Sequence, residues 1–274
     1  LPRERAVKHF IEVTSETDGQ GRPILVPVNQ ISRKDALDFR NWWSDRVEDG
    51  MSVETANKDF GHLSQIFSVW TELKDVALPN PFSKLRLEGN HECEKTAFTR
   101  AWISEKILAP GALDGLNEEA RDIFLMTLNN GVRPCENTDA PLGDFEINAP
   151  IPFLRIAPQG RELMVAHTIR DFPLVGVSLE AAKRIVARGG VERYRHNAGN
   201  WSALVNKYLK NNGLKEKPHC WAYSVRDYFE YALLAANIDV RGRADILGHK
   251  FARPNYGDGG ALPGRREALL QIAL

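Results

Sequence analysis

Residues 223–256 read YSVRDYFEYALLAANIDVRGRADILGHKFARPNY. The stretch puts Arg226 at a helix start, Leu247-Gly248-His249 at a helix end, and Tyr256 in a glycine-rich loop. These residue types share one chemistry. A guanidinium is a rigid fork of donors matched to two phosphate oxygens. An imidazole is a further donor, or an acid near neutral pH. A phenol, once ionised, can attack phosphorus and form a covalent ester. Taken singly, each is an ordinary surface residue, so the spacing by itself only suggests phosphate handling.

A second segment narrows the reading. After the apolar run IFLMTL, residues 129–136 read NNGVRPCE and contain Arg133 and Glu136. In the order Arg133, Glu136, Arg226, Leu247-Gly248-His249, Tyr256, the chain resembles the catalytic domain of tyrosine recombinases, most of all phage and genomic-island integrases. The first-arginine motif of that family, Thr-Gly-x-Arg-x-x-Glu, is met by residues 130–136 except at Asn130, and residues 253–259, RPNYGDG, resemble the nucleophile segment of one integrase branch.

The chain has 274 residues, enough for two domains, with equal numbers of acidic and basic side chains and zero formal charge. No global field therefore draws it to a polyanion, although one groove can still be basic. The cysteines Cys93, Cys135 and Cys220 lack metal-ligand spacing and read as small buried hydrophobes in a reducing compartment. No signal peptide or spanning apolar run is visible, so no membrane partner is expected. Because the chain opens at Leu1, we expect a segment upstream, an arm-binding domain by the resemblance.

Read in order, residues 1–13 form a short helix, followed by a loop through Pro27. Ser32 with Asp35 signals a capped helix carrying Ala36, Phe39, Trp42 and Trp43, and Ser52 caps a longer one from Val53 to Trp70. Packing in a helical core is the favoured role for these tryptophans. This unit, closed by Asn80-Pro81-Phe82, resembles the helical core-binding domain of the integrases, with Lys58, His62 and Lys84 as DNA contacts. The polar, aperiodic residues 91–98 form a linker, giving domains 1–90 and 99–274.

In the second domain, amphipathic helices are expected over 102–108 and 118–128, the latter ended by Gly131, with Arg133 at a turn. Strands FLRIAP and ELMVAH around Gln159-Gly160, then DFPLV, make a small three-stranded sheet. Helices follow: one capped by Ser178, one near 200–210, one opened by Arg226, one over 240–247, and a tail helix over 266–274. The fold class is mainly α with a small β-hairpin sheet (α+β), in two domains.

The resemblance implies a metal-free, cofactor-free DNA recombinase. Arg133, Arg226 and His249 would hold the scissile phosphate, and Tyr256 would attack it. Glu136 would support the clamp, with Lys250 nearby. Two positions depart from the family. Tyr223 stands where the family usually has His or Lys, and a phenol is a poor acid–base substitute for histidine. Met164 falls where alignment expects the hairpin lysine, and a thioether donates no proton. His167, Arg161 and Arg170 are the nearby substitutes, Arg170 also counting as a DNA contact. The implied partners are double-stranded attachment sites, a homotetramer on DNA and a directionality factor, in a bacterial cytoplasm at the nucleoid. The alternative is an impaired relative that binds DNA without recombining it.

Overall fold

The computed structural model describes residues 2–89, 96–158, 168–250 and 262–274. The chain divides into two compact units, Leu1–Cys93 and Glu94–Leu274.

The first unit is helical. α1 (Pro2–Thr14), α2 (Arg33–Glu48) and α3 (Val53–Lys74) surround a core of Phe10, Phe39, Trp43, Phe60 and Phe67. The rings meet edge-on: Phe10 and Phe39 lie 5.5 Å apart at 85°, which sets positive ring edges against negative faces. Ser32 caps α2 as expected, accepting from the Asp35 amide while Asp35 accepts from the Ser32 amide. Ser52 holds the N-cap position of α3 without a side-chain bond. The loop after α1 contains two paired two-residue strands, β1 (Glu16–Thr17) and β2 (Pro23–Ile24), which its turn-rich sequence did not announce. Asn80 secures the Asn-Pro-Phe segment by donating to the Ser64 carbonyl and accepting from the Phe82 amide. The buried Asp59 carboxylate is compensated by Arg5 and His9, each at 2.8 Å.

The second unit is built around α5 (Glu118–Asn130). A short α4 (Arg100–Trp102), capped by Thr99, runs into a π-turn over Ile103–Ile107, where the sequence suggests one regular helix. Asn117 caps α5 by accepting from the Ala120 amide. The amphipathic reading of α5 holds only for its first half. From Met126 to Asn130 every residue is buried, because α7 (Gly176–Ala187), α8 (Ala198–Asn211) and α9 (Ser224–Ala235) all pack on it.

Gly131 ends α5 with φ +54°, and an added Cβ there would stand 2.5 Å from Phe229 Cγ and nearer still to Cδ1. Pro134 then occupies the first turn of a new short helix, α6 (Pro134–Thr138). The sheet is antiparallel in the order β3 (Phe145–Glu146), β4 (Phe153–Ile156), β5 (Arg170–Pro173). The strand expected over 162–167 lies outside the described residues. Ser178 is not a cap: α7 begins at Gly176, and Ser178 turns its hydroxyl back onto Val175. The unit closes with α10 (Val240–Leu247) and α11 (Leu262–Leu270), which starts earlier and ends sooner than the expected tail helix.

Candidate active site

Arg133 stands at the N-cap of α6 in extended backbone, so its side chain leaves a helix start. Its amide and Nη1 donate to the two oxygens of Glu136, each at 3.0 Å. The Arg133 side chain is 20% exposed, reachable from solvent, whereas that of Glu136 is 5% exposed. Glu136 also accepts from Arg170 Nη2 at 3.3 Å.

Arg226 is the third residue of α9, after Tyr223 at the N-cap, so it belongs to the first turn without opening the helix. Its Nη1 donates to the Gly131 carbonyl and its Nη2 to the Leu247 carbonyl at 3.1 Å. The same Nη2 lies 2.9 Å from His249 Nε2. A guanidinium has no acceptor, so Nε2 must accept, and the ring proton sits on Nδ1. Burial, and then the Arg226 charge, hold the His249 pKa below its ordinary value. His249 is therefore a neutral imidazole in the resting site.

Gly248 shapes the turn that delivers His249. It caps α10 in the left-handed region at φ +65°, and a Cβ there would lie 2.9 Å from Arg170 Cζ and nearer still to Nη1. The site is thus a closed circuit: Gly131 and Arg133, Glu136, Arg170, the α10 end, His249 and Arg226. Arg133 and Arg170 bond directly to Glu136, whereas Arg226 feels the charges of Glu136 and Glu230 without bonding to either. Burial is the main cause that lowers the Arg226 pKa, and the charge of Arg133 adds to it, so the two cations feel each other across the site.

No protein-family model matches the chain, and no curated protein matches it. Solved structures do. The Tn1549 transposon integrase, in complex with transposon right-end DNA, matches with TM-score 0.61 at 18% identity, over 100% of this chain and 88% of that one. A lambda integrase tetramer bound to a Holliday junction matches with TM-score 0.61 at 13% identity, over 93% and 73%. The integrase of mycobacterium phage Brujita matches with TM-score 0.51 at 15% identity, over 98% and 84%. The fold is that of the integrases.

On this integrase fold the expected site residues separate into groups. Arg133, Glu136, Arg226 and His249 converge as described. Tyr223 is 49% exposed at the start of α9, and Lys250 is exposed beyond His249. Tyr256, His167, Arg161 and Met164 lie outside the described residues. In the helical unit, Lys58 and Lys84 are exposed and His62 is half-buried; Lys58 and His62 share a face of α3, one turn apart. Lys58 lies 3.7 Å from Glu54.

Arg170 requires a correction. Expected as a DNA contact and as a stand-in for the missing lysine, it is 6% exposed overall. Its Nε donates to the Ile246 carbonyl at 2.9 Å, Nη1 to the Thr168 carbonyl at 2.7 Å, and Nη2 to Glu136. All three nitrogens are engaged inside the protein, which separates Arg170 from Arg226: that residue is as deeply buried, at 5% exposed, but among the described residues it bonds through Nη1 and Nη2 only. Burial, the main cause, brings the Arg170 pKa down to about 10, so it remains charged at neutral pH. A signal for this was present: strand alternation puts Arg170 on the face of Phe172, which is 1% exposed.

Sequence reading also missed the amide cluster beneath the first arginine. Asn130 accepts from the Val132 amide and donates to Asn137 Oδ1 at 3.0 Å, shaping the turn before Arg133. Among the described residues, no His, Cys, Asp and Glu cluster could hold a metal ion, and no helix is long and apolar enough to cross a membrane.

Proposed function

We propose that this protein is a site-specific tyrosine recombinase. Arg133 and Arg226 bind the non-bridging oxygens of one DNA phosphate, and His249 donates Nδ1–H to the same group. The Tyr256 hydroxyl gives up its proton as its oxygen bonds to phosphorus, the bond to the 5′ oxygen breaks, and that oxygen takes up one proton as it leaves. The product is a 3′-phosphotyrosine. Because the ester keeps the bond energy, a second 5′-hydroxyl can attack it and rejoin strands without ATP or a cofactor. Fixed cations do the electrostatic work that a metal would do elsewhere.

The observation that carries this reading is the convergence of Arg133, Arg226 and His249 on one circuit whose guanidiniums outnumber its direct carboxylate. The DNA complexes recorded for the Tn1549 and lambda integrases support a duplex substrate, and the lambda tetramer on a junction supports tetrameric assembly on paired sites. The helical unit would then be the core-binding domain, contacting DNA through Lys58, His62 and Lys84, in the bacterial cytoplasm.

The test is a nicked suicide duplex carrying a target site. Covalent protein–DNA adduct is expected with the wild type and none with Tyr256→Phe; an adduct that survives the substitution refutes the assignment. One feature favours a second reading, a DNA-binding relative that no longer cuts: Met164 cannot supply the leaving oxygen's proton. Tight binding of the nicked duplex with no adduct selects that reading.

A further inference from the structure

We infer that Arg170 is a positioning residue that ties the Arg133–Glu136 pair to the turn carrying His249. The bonds run both ways from its guanidinium. Nη2 reaches Glu136, the carboxylate that orients Arg133, and Nε reaches the Ile246 carbonyl in the last turn of α10. Nη1 anchors the group to β5's own approach through the Thr168 carbonyl. The side chain is 3% exposed, which leaves almost none of it within reach of solvent or a bound duplex.

Gly248 completes the argument from the other side. The guanidinium lies so close under this turn that a single added carbon would collide with it. Turn and arginine therefore fix each other, and Arg226, bonded to both Leu247 and His249, receives the result. Two elements far apart in sequence, α6 and α10, thus keep one separation, and that separation decides whether one phosphate can meet Arg133 and His249 together.

Lysine cannot replace this group. One ammonium keeps the charge, but it cannot span three acceptors lying in different directions in one plane. For its consequence the inference rests on the recombinase reading; for its geometry it does not. The test uses the whole chain with Arg170→Lys, which preserves charge, and Gly248→Ala, which disturbs the same contact should the first variant fail to fold.

Three quantities are measured: duplex affinity with its salt dependence, single-turnover cleavage of the nicked duplex, and the titration of the His249 ring by NMR in the absence of DNA. Affinity is expected to stay within about twofold while cleavage slows about ten- to a hundredfold, the usual cost of a misplaced reacting group. The His249 titration is expected to move up towards about 6.5, the ordinary value, as the turn drifts from Arg226. Duplex binding weakened well beyond about twofold in a folded Arg170→Lys variant, where the charge is kept but the donor fork is lost, would make Arg170 a DNA contact and overturn the inference. So would an unmoved His249 titration in a folded variant, whatever happens to cleavage. If the wild type forms no adduct yet His249 still moves, the recombinase reading falls and the positioning role stands.

Discussion

His249 is held below its ordinary pKa chiefly by burial and the guanidinium of Arg226, with Arg133 and Arg170 adding to them and Glu230 opposing. Its folded-state pKa is therefore below the ordinary value, and between the two the unfolded chain binds more protons. Stability must then rise with pH across that window: the contribution is complete above about 6.5 and is lost as pH falls through the folded value. Comparing urea midpoints at about pH 7.5 and about pH 5, the wild type is expected to lose more stability than His249→Gln, which has no such proton to gain. Gly131 gives a second expectation. With φ +54° and the Phe229 ring against it, Gly131→Ala combines backbone strain with overpacking and is expected to cost at least about 2 kcal/mol, read as a lower denaturant midpoint at unchanged slope. Both glycine and histidine were visible as motif residues. That the histidine is an acceptor in the resting site was not, since the tautomer follows from where Arg226 points.

The helices differ in how openly their ends were written. Ser32 and Asp35 close a reciprocal box at α2, and Asn117 caps α5, because short polar side chains can reach amides two or three residues ahead. Asn117→Ala is expected to destabilise the protein by about 1 kcal/mol, more than Asn117→Asp, which can still cap; thermal melting of the two variants checks the order. Asn117 also donates to the Tyr194 hydroxyl, which adds to the loss. Ser178 shows where local reading stops. It has the right chemistry for a cap, but the chain turns helical at Gly176, where β5 leads into α7. The π-turn after Trp102 and the buried second half of α5 escaped for the same reason: both answer to neighbours contributed by distant residues.

For the molecule as a whole, zero net charge concealed a locally cationic site. Composition counts charges, whereas folding sorts them, and here it gathers Arg133, Arg170 and Arg226 around Glu136. On the recombinase reading a polyanion would meet Arg133 in the second unit, and exposed Lys58 and Lys84 are the candidate contacts of the helical unit. Lys58→Ala and Lys84→Ala are each expected to weaken duplex binding uniformly across sequences and to lower the salt slope by about one. Titrations across a series of salt concentrations measure this, and an unchanged slope would remove that lysine from the interface.

The helical periodicities, the polar break near residue 91 and the ordered Arg133, Arg226 and His249 motifs were in the amino-acid sequence alone, because each depends on near neighbours or on residue type. What only the tertiary structure decided was which arginine faces the site and which is spent inside it. Arg133, Arg170 and Arg226 are chemically identical. Arg133 keeps a fifth of its side chain in solvent; Arg170 and Arg226 are both buried against carbonyls supplied by other elements, and Arg170 is held by Glu136 as well. A guanidinium's role is set by the acceptors that surround it, and these come together only when the chain has folded.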